Sequence, residues 1–180
     1  LPHPKVRLEP FEERHRAGPK GGNVAYATVN VDALGGVSVT ADSLPQGQGH
    51  ATVLSQVVAD ELGIEPRDIT CNMDRDTMRD PWSIATGNYS SRFSSATAPA
   101  ARLAARKVRA KLGRIAAHLL KVSPDKIVFS EGKIYSMDDP QTTLRFSRVA
   151  MTQHIKRRML DDLGYGLMLE GMGIMSLMGK

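Results

Sequence analysis

One cysteine, Cys71, stands among 180 residues. Its solitude excludes a disulfide framework within the chain and any zinc site built from several thiolates. Such poverty in cysteine fits a reducing compartment, and a cytoplasmic location is the expectation. No run of 18 or more apolar residues occurs, so no segment reads as a membrane-spanning helix. The opening Leu1-Pro2-His3-Pro4-Lys5 lacks the apolar core of a secretion signal and lacks an initiator Met. The expectation is a start at a cleavage site or a piece of a longer product. Aromatic residues make up only 5%, which weakens any case for stacking on single-stranded nucleic acid. Against these absences stand 41% hydrophobic residues, 24% charged residues and a formal net charge of +5. That suits one compact domain or two small halves, burying roughly 70% of the unfolded surface.

The chain divides by pattern. Residues 1–22 hold four prolines and three glycines without a sustained period and read as an extended arm or linker. Val24 to Val31 and Val37 to Thr40 read as a hairpin about the Gly-containing turn Asp32–Gly36. After Gln46-Gly47-Gln48-Gly49-His50 the period becomes helical: Val53, Leu54, Val57, Val58 and Leu62 share a face, and Gly63 sits where a C-terminal cap is expected. Ile69 to Met73 reads as a short strand. The stretch from Asp74 to Ser95 is aperiodic, and a loop of that length inside a domain is often functional. Ala96 to Lys121 reads as the longest helix, with Leu103, Val108, Leu112, Ile115 and Leu119 as its larger apolar residues. A second hairpin is expected at Ile127–Phe129 and Lys133–Tyr135, then a helix capped by Ser147. Gly164 to Lys180, with five glycines and four methionines, receives no stable element. The class is α+β: mixed short strands and hairpins packed with two or three helices. The divisions are an arm at 1–22, an α+β segment at 23–122, and a hairpin, helix and Met/Gly-rich interface segment at 123–180.

Two loop-to-helix junctions carry the chemistry. Gln46–His50 opens one helix, and Gly87-Asn88-Tyr89-Ser90-Ser91-Arg92 opens the long one. Glycine lets a ligand approach the backbone closely, and the first turn of a helix presents unpaired N–H groups at the positive end of its dipole. Each is an anion cradle in outline, and phosphate is the usual occupant. Hydroxyls and a guanidinium at the second junction add suitable donors. Taken singly, each motif is also an ordinary turn or helix cap. The pair, flanking an aperiodic loop, points to a diphosphate or nucleotide-like cofactor.

A different class of function rests on charge. Between Arg102 and Lys126 there are eight basic residues and one acid, Asp125, a local balance of +7. A basic helix can lie along nucleic-acid phosphates, though such a run is more often a solvated face or packs on an acidic partner. The alternative is therefore a non-catalytic binding module using 102–126 on nucleic acid or an acidic protein. No His or Cys pair has metal-ligand spacing. Asp74, Asp76 and Asp80 lack the glycine and terminal glutamate of a calcium loop. No catalytic residue is identifiable by spacing.

The segments PQGQGHATVLSQVVADELGIEPRDI, DPWSIATGNYSSRF and AARLAARKVRAKLGRIAAHLL resemble the molybdopterin-binding large subunit of the molybdenum hydroxylases. This is the xanthine dehydrogenase, aldehyde oxidase and aerobic carbon monoxide dehydrogenase family. The resemblance runs from about Tyr26 to Gly132 and more loosely to Gly173. It implies part of a molybdopterin-binding domain in a larger subunit. Gln48 would lie beside the molybdenum without ligating it, with Gly47, Gly49 and His50 continuing the turn. Gly87, Tyr89, Ser90, Ser91 and Arg92 would hold the pterin pyrophosphate. The resemblance further implies a cytosine dinucleotide form of the cofactor, and Fe–S clusters and FAD on partner subunits that take the electrons. The reaction implied is oxidation or hydroxylation of a carbon centre with oxygen from water.

Two departures stand out. The family's Ser-Arg-Ser is Ser91-Arg92-Phe93 here, and family large subunits are several times longer. Glu170-Gly171 does not match the family's Gly-Glu motif, so the glutamate base is expected outside this chain. The chain would then be one part of a divided large subunit or a piece of a longer one. In both cases a Met- and Gly-rich end calls for a covering partner.

Overall fold

The computed structural model describes residues 25–74, 76, 78, 88, 91–155 and 170–175, with 153–155 and 170–175 described through their backbone. Strand β1 (Ala25–Val31) alternates, burying Ala25, Ala27, Val29 and Val31. Strand β2 (Val37–Ala41) answers with Val37, Val39 and Ala41. Such period-two burial is what a strand with one covered face requires. The turn between them is held by Asp32, whose Oδ1 accepts from the N–H groups of Leu34 (2.8 Å) and Gly36 (2.9 Å). The expected first hairpin is present.

Helix α1 (His50–Leu62) carries the chain across to β3 (Ile69–Asn72), which lies parallel to β2. Parallel neighbours need such a crossover. Of the face expected to be apolar, Leu54, Val58 and Leu62 are buried, while Val53 is 37% exposed and Ala59 joins the core instead. The helix ends on Gly63 at φ +65°, as expected. A Cβ there would lie 2.5 Å from the Phe129 backbone, so glycine is required both by conformation and by close approach.

Five residues, Phe93–Thr97, form one wide turn that runs into α2 (Ala98–Leu120). The buried face of α2 is built on Ala100, Ala101, Ala104, Ala105, Val108, Leu112, Ile115 and Ala116. Small residues let the helix axis come close to β1 and to α1. Leu103 is not part of that face: it is 38% exposed.

Two findings exceed the sequence reading. The second hairpin, β4 (Ile127–Ser130) and β5 (Lys133–Ser136), gains a third strand, β6 (Asp139–Arg145). Most of β6 is exposed, so no alternation announces it. Near the C-terminal end, Glu170–Met175 is a strand, β7, antiparallel to β1 with Ala25 opposite Met175 and Asn30 opposite Glu170. The main sheet therefore has the order β3-β2-β1-β7. Glycine and methionine give little strand signal, and β7 is strand by virtue of the β1 edge it completes. Helix α3 (Phe146–Ile155), starting one residue before the expected Ser147, buries Phe146, Val149 and Ala150. Strands alternate with helices in two small sheets, and the α+β class holds.

Candidate functional site

Both junctions singled out in the sequence lie at the N-terminal ends of α1 and α2, and three side-chain ties bring them together. The first is aromatic: His50, the first residue of α1, stacks on Phe93 with ring centroids 3.7 Å apart and planes 4° from parallel. The second is a clasp. Ser43 Oγ donates to Asn88 Oδ1 at 2.7 Å, and Asn88 Nδ2 donates to the Leu44 carbonyl. The third is a buried ion pair, Arg92 to Asp42 at 2.8 Å, with Arg92 also donating to Thr97 Oγ1 at 3.3 Å.

The turn itself is open. Gly47 and Gly49 take φ of +92° and +73°, and a Cβ at either would meet nothing within 4 Å. Glycine here answers backbone conformation, and the space above it is free for a ligand. Gln46, Gly47, Gln48 and Gly49 are exposed, whereas His50 is buried. Gln48 Oε1 accepts from the Gln46 N–H at 2.5 Å. That bond engages the amide oxygen, so the Gln48 NH₂ donors lie at the opposite end of the same group. Gly49 caps α1 without a side-chain hydrogen bond, leaving first-turn N–H groups for another acceptor.

Burial pushes the His50 pKa below its ordinary value, since desolvation disfavours the imidazolium. Ser43 Oγ stands 3.5 Å from Nδ1 and spends its proton on Asn88. With that proton engaged, an Nδ1–H tautomer would let the ring donate to the hydroxyl.

At the second junction Ser91 is exposed and takes φ +54°, left-handed for a residue with a side chain. Its carbonyl accepts from Ser95 N at 3.1 Å and from Ser94 Oγ at 2.9 Å, which begins the helix. The Arg92 side chain is 3% exposed and points inward to Asp42, away from the surface where Ser91 lies. Gly87, Tyr89 and Ser90 lie outside the described residues. Asp42, Ser43 and Phe93 carried no functional signal in the sequence. Phe93 entered there only as a departure, yet it supplies the ring on which His50 stacks.

The basic run faces elsewhere and is largely occupied. Glu61 at the end of α1 accepts from Arg102 at 2.5 Å and Arg106 at 3.0 Å. Arg109 lies 4.8 Å over the Phe129 ring and donates to the Glu61 carbonyl. Lys126 pairs with Asp138, and Lys107, Lys111 and Arg114 also take part in interactions. Burial opposes the charge on Glu61, but hydrogen bonds from Arg102 and Arg106 outweigh it and hold its pKa below the usual carboxylate value. Cys71 is half-buried, donates to the Ala51 carbonyl at 3.2 Å, and has its thiol pKa pushed up by burial. A raised pKa disfavours the thiolate. Among the described residues, no helix is long and apolar enough to cross a membrane, and no group of three His, Cys, Asp or Glu residues could hold a metal.

Open glycines, two helix starts joined by side chains and an exposed serine are donor types that suit an anionic group. Comparisons with known proteins give the family. Residues 9–169 match the model of the molybdopterin cofactor-binding domain. The chain belongs to that family. It is similar to the carbon monoxide dehydrogenase large chain of Hydrogenophaga pseudoflava, 35% identical over 129 residues, covering 68% of this chain and 16% of that one. The xanthine dehydrogenase molybdenum-binding subunit of Escherichia coli O157:H7 is 31% identical over 134 residues, covering 74% of this chain and 18% of that subunit. Among solved structures, quinoline 2-oxidoreductase from Pseudomonas putida 86 superposes with a TM-score of 0.66 at 26% identity, covering 82% of this chain and 18% of that one. The molybdopterin-binding chain thus spans under a fifth of the length of these relatives.

Proposed function

We propose that this chain is the cofactor-holding part of a molybdenum hydroxylase, acting within a multi-chain or longer enzyme. When bound, the molybdopterin group supplies the redox chemistry by which oxygen from water enters a carbon centre. The residues described here bind and orient. Gly47 and Gly49 open the turn, and Gln48 presents its amide beside the metal end without ligating it. His50 fixes the start of α1 by stacking. Gly87, Tyr89, Ser90, Ser91 and Arg92 hold the diphosphate, Ser91 with its hydroxyl and Arg92 through the backbone it anchors. The base lies on another segment, and Fe–S and FAD partners receive the electrons. The setting is cytoplasmic, with 1–22 an arm, 23–122 the cofactor segment and 123–180 the side facing the rest of the subunit.

One observation carries this reading: the His50–Phe93 stack joins the starts of two helical segments, and Gly47 and Gly49, just before the first, are left-handed with open space around them. Two neighbouring helix starts offer more N–H donors than one, which suits a diphosphate. The dinucleotide form is tested by acid hydrolysis of the purified native complex and identification of the nucleotide set free. Cytidine monophosphate is expected, and pterin without a nucleotide contradicts the dinucleotide form. The binding-module reading has less support, since Arg102, Arg106, Arg109 and Lys126 are engaged within the chain.

A further inference from the structure

The Asp42–Arg92 pair is sealed from water, with side chains 0% and 3% exposed. Burying two charges gives up their hydration, and well-packed apolar residues commonly stabilise a fold as well or better. Its position suggests another role. Asp42 follows β2 directly, and its backbone is fixed to β1 by a 3.0 Å hydrogen bond to the Tyr26 carbonyl. It is followed by Ser43 and Leu44, which clasp Asn88. Arg92 follows Ser91, which is held at φ +54°. A left-handed, non-glycine residue persists where its surroundings over-determine it. Thr97, fully buried, receives the Arg92 hydrogen bond and stands 3.5 Å from the Asp42 carboxylate.

We propose that Asp42 is a positioning residue for the cofactor: its buried pair with Arg92 fixes the first turn of the helix so that the Ser91 hydroxyl and neighbouring backbone N–H groups grip the diphosphate. This rests on the reading of 87–92 as the diphosphate loop. The guanidinium is thereby kept out of the grip, and the anion is held by dipoles and hydroxyls. The rival arrangement has Arg92 swing out and bind the anion itself. The two differ in sign at one substitution. Asp42→Asn frees the guanidinium and strengthens retention if Arg92 is a direct ligand. It weakens retention if Asp42 positions the loop.

The test measures molybdenum and pterin per chain in the purified native complex, for wild type, Asp42→Asn and the double variant Asp42→Asn/Arg92→Met. The double variant removes both charges of the pair together, and cooperative thermal unfolding checks that its fold is kept. Amide exchange of Ser95, whose N–H bonds to Ser91, reports the first turn, and Val108 reports the helix interior. The expected result is a loss of cofactor of about tenfold or more in both variants, on the scale of outer-shell partners of metal sites. Faster exchange at Ser95 with Val108 unchanged accompanies it. Wild-type retention in the double variant overturns the proposal, and so does tighter retention in Asp42→Asn. A wild-type complex without molybdenum or pterin overturns the reading of the site itself.

Discussion

At the scale of single residues the site is defined by backbone conformations that side chains make costly. Gly47 and Gly49 are left-handed with open space above them, so Gly49→Val meets no clash and is penalised by conformation. That penalty is about 1–2 kcal/mol, read as a lowered denaturant midpoint, and the added side chain also occupies the ligand's space. Ser91→Ala is expected to leave folding nearly unchanged, since no hydrogen bond of its hydroxyl is described. It should loosen cofactor retention by about 1–3 kcal/mol, the worth of one hydrogen bond to a charged group. Full molybdenum in purified Ser91→Ala complex contradicts that role. His50 gives a pH signature. Its folded pKa is depressed by burial, so its contribution is complete above the unfolded value of about 6.5 and is lost as pH falls through the folded pKa. His50→Phe keeps a ring on Phe93 and removes the proton. Thermal unfolding of that variant should fall less between neutral and mildly acid pH than wild type. The open glycine turn was legible because its backbone demand is local. Asp42 and Phe93 were not: an acid after a strand and a phenylalanine in a loop acquire meaning only from partners 50 and 43 positions away.

At the scale of elements, the proposed site needs α1 and α2 held in one arrangement. Glu61, near the C-terminal end of α1, ties that helix to the first half of α2 through Arg102, Arg106 and Arg109. The arginines at 102 and 106 are more than half exposed, at 57% and 52%. Solvent screening then limits the loss in Glu61→Gln to about 0.5–1 kcal/mol, and salt should shrink it in denaturant titrations. The carboxyl's pKa is lowered, so this contribution is full above the usual carboxylate range and disappears as pH falls through the folded pKa. Gly63→Ala is more severe. Its Cβ would meet the Phe129 carbonyl at 2.5 Å in a left-handed backbone, and a loss of about 2–4 kcal/mol is expected from strain plus overpacking. The first hairpin, α1 and α2 were readable from period, because each has one covered face. Strand β6 was not, since an exposed strand shows no alternation. Leu103 misled because the buried stripe in the first half of α2 is made of alanines, whose burial a size-based reading passes over.

At the scale of the whole molecule, the main sheet is closed on one side by a strand from near the other end of the chain. Strand β7 pairs with β1 across the sequence from Ala25 to Met175. Deleting residues 164–180 uncovers that edge, so the shortened chain should lose cooperative unfolding and gain a tendency to associate through β1. Composition could not announce this strand, whose signal is the vacancy on β1. If the cofactor is held by dipoles and hydroxyls as proposed, with Arg92 buried, its retention should change little between low and physiological salt, unlike binding to nucleic acid. The most direct test of the account is molybdenum by elemental mass spectrometry on the native particle containing this chain, with its other polypeptides identified in the same sample. About one molybdenum per copy, accompanied by the remaining large-subunit segments, is the predicted result. A particle without molybdenum and without such segments would contradict it.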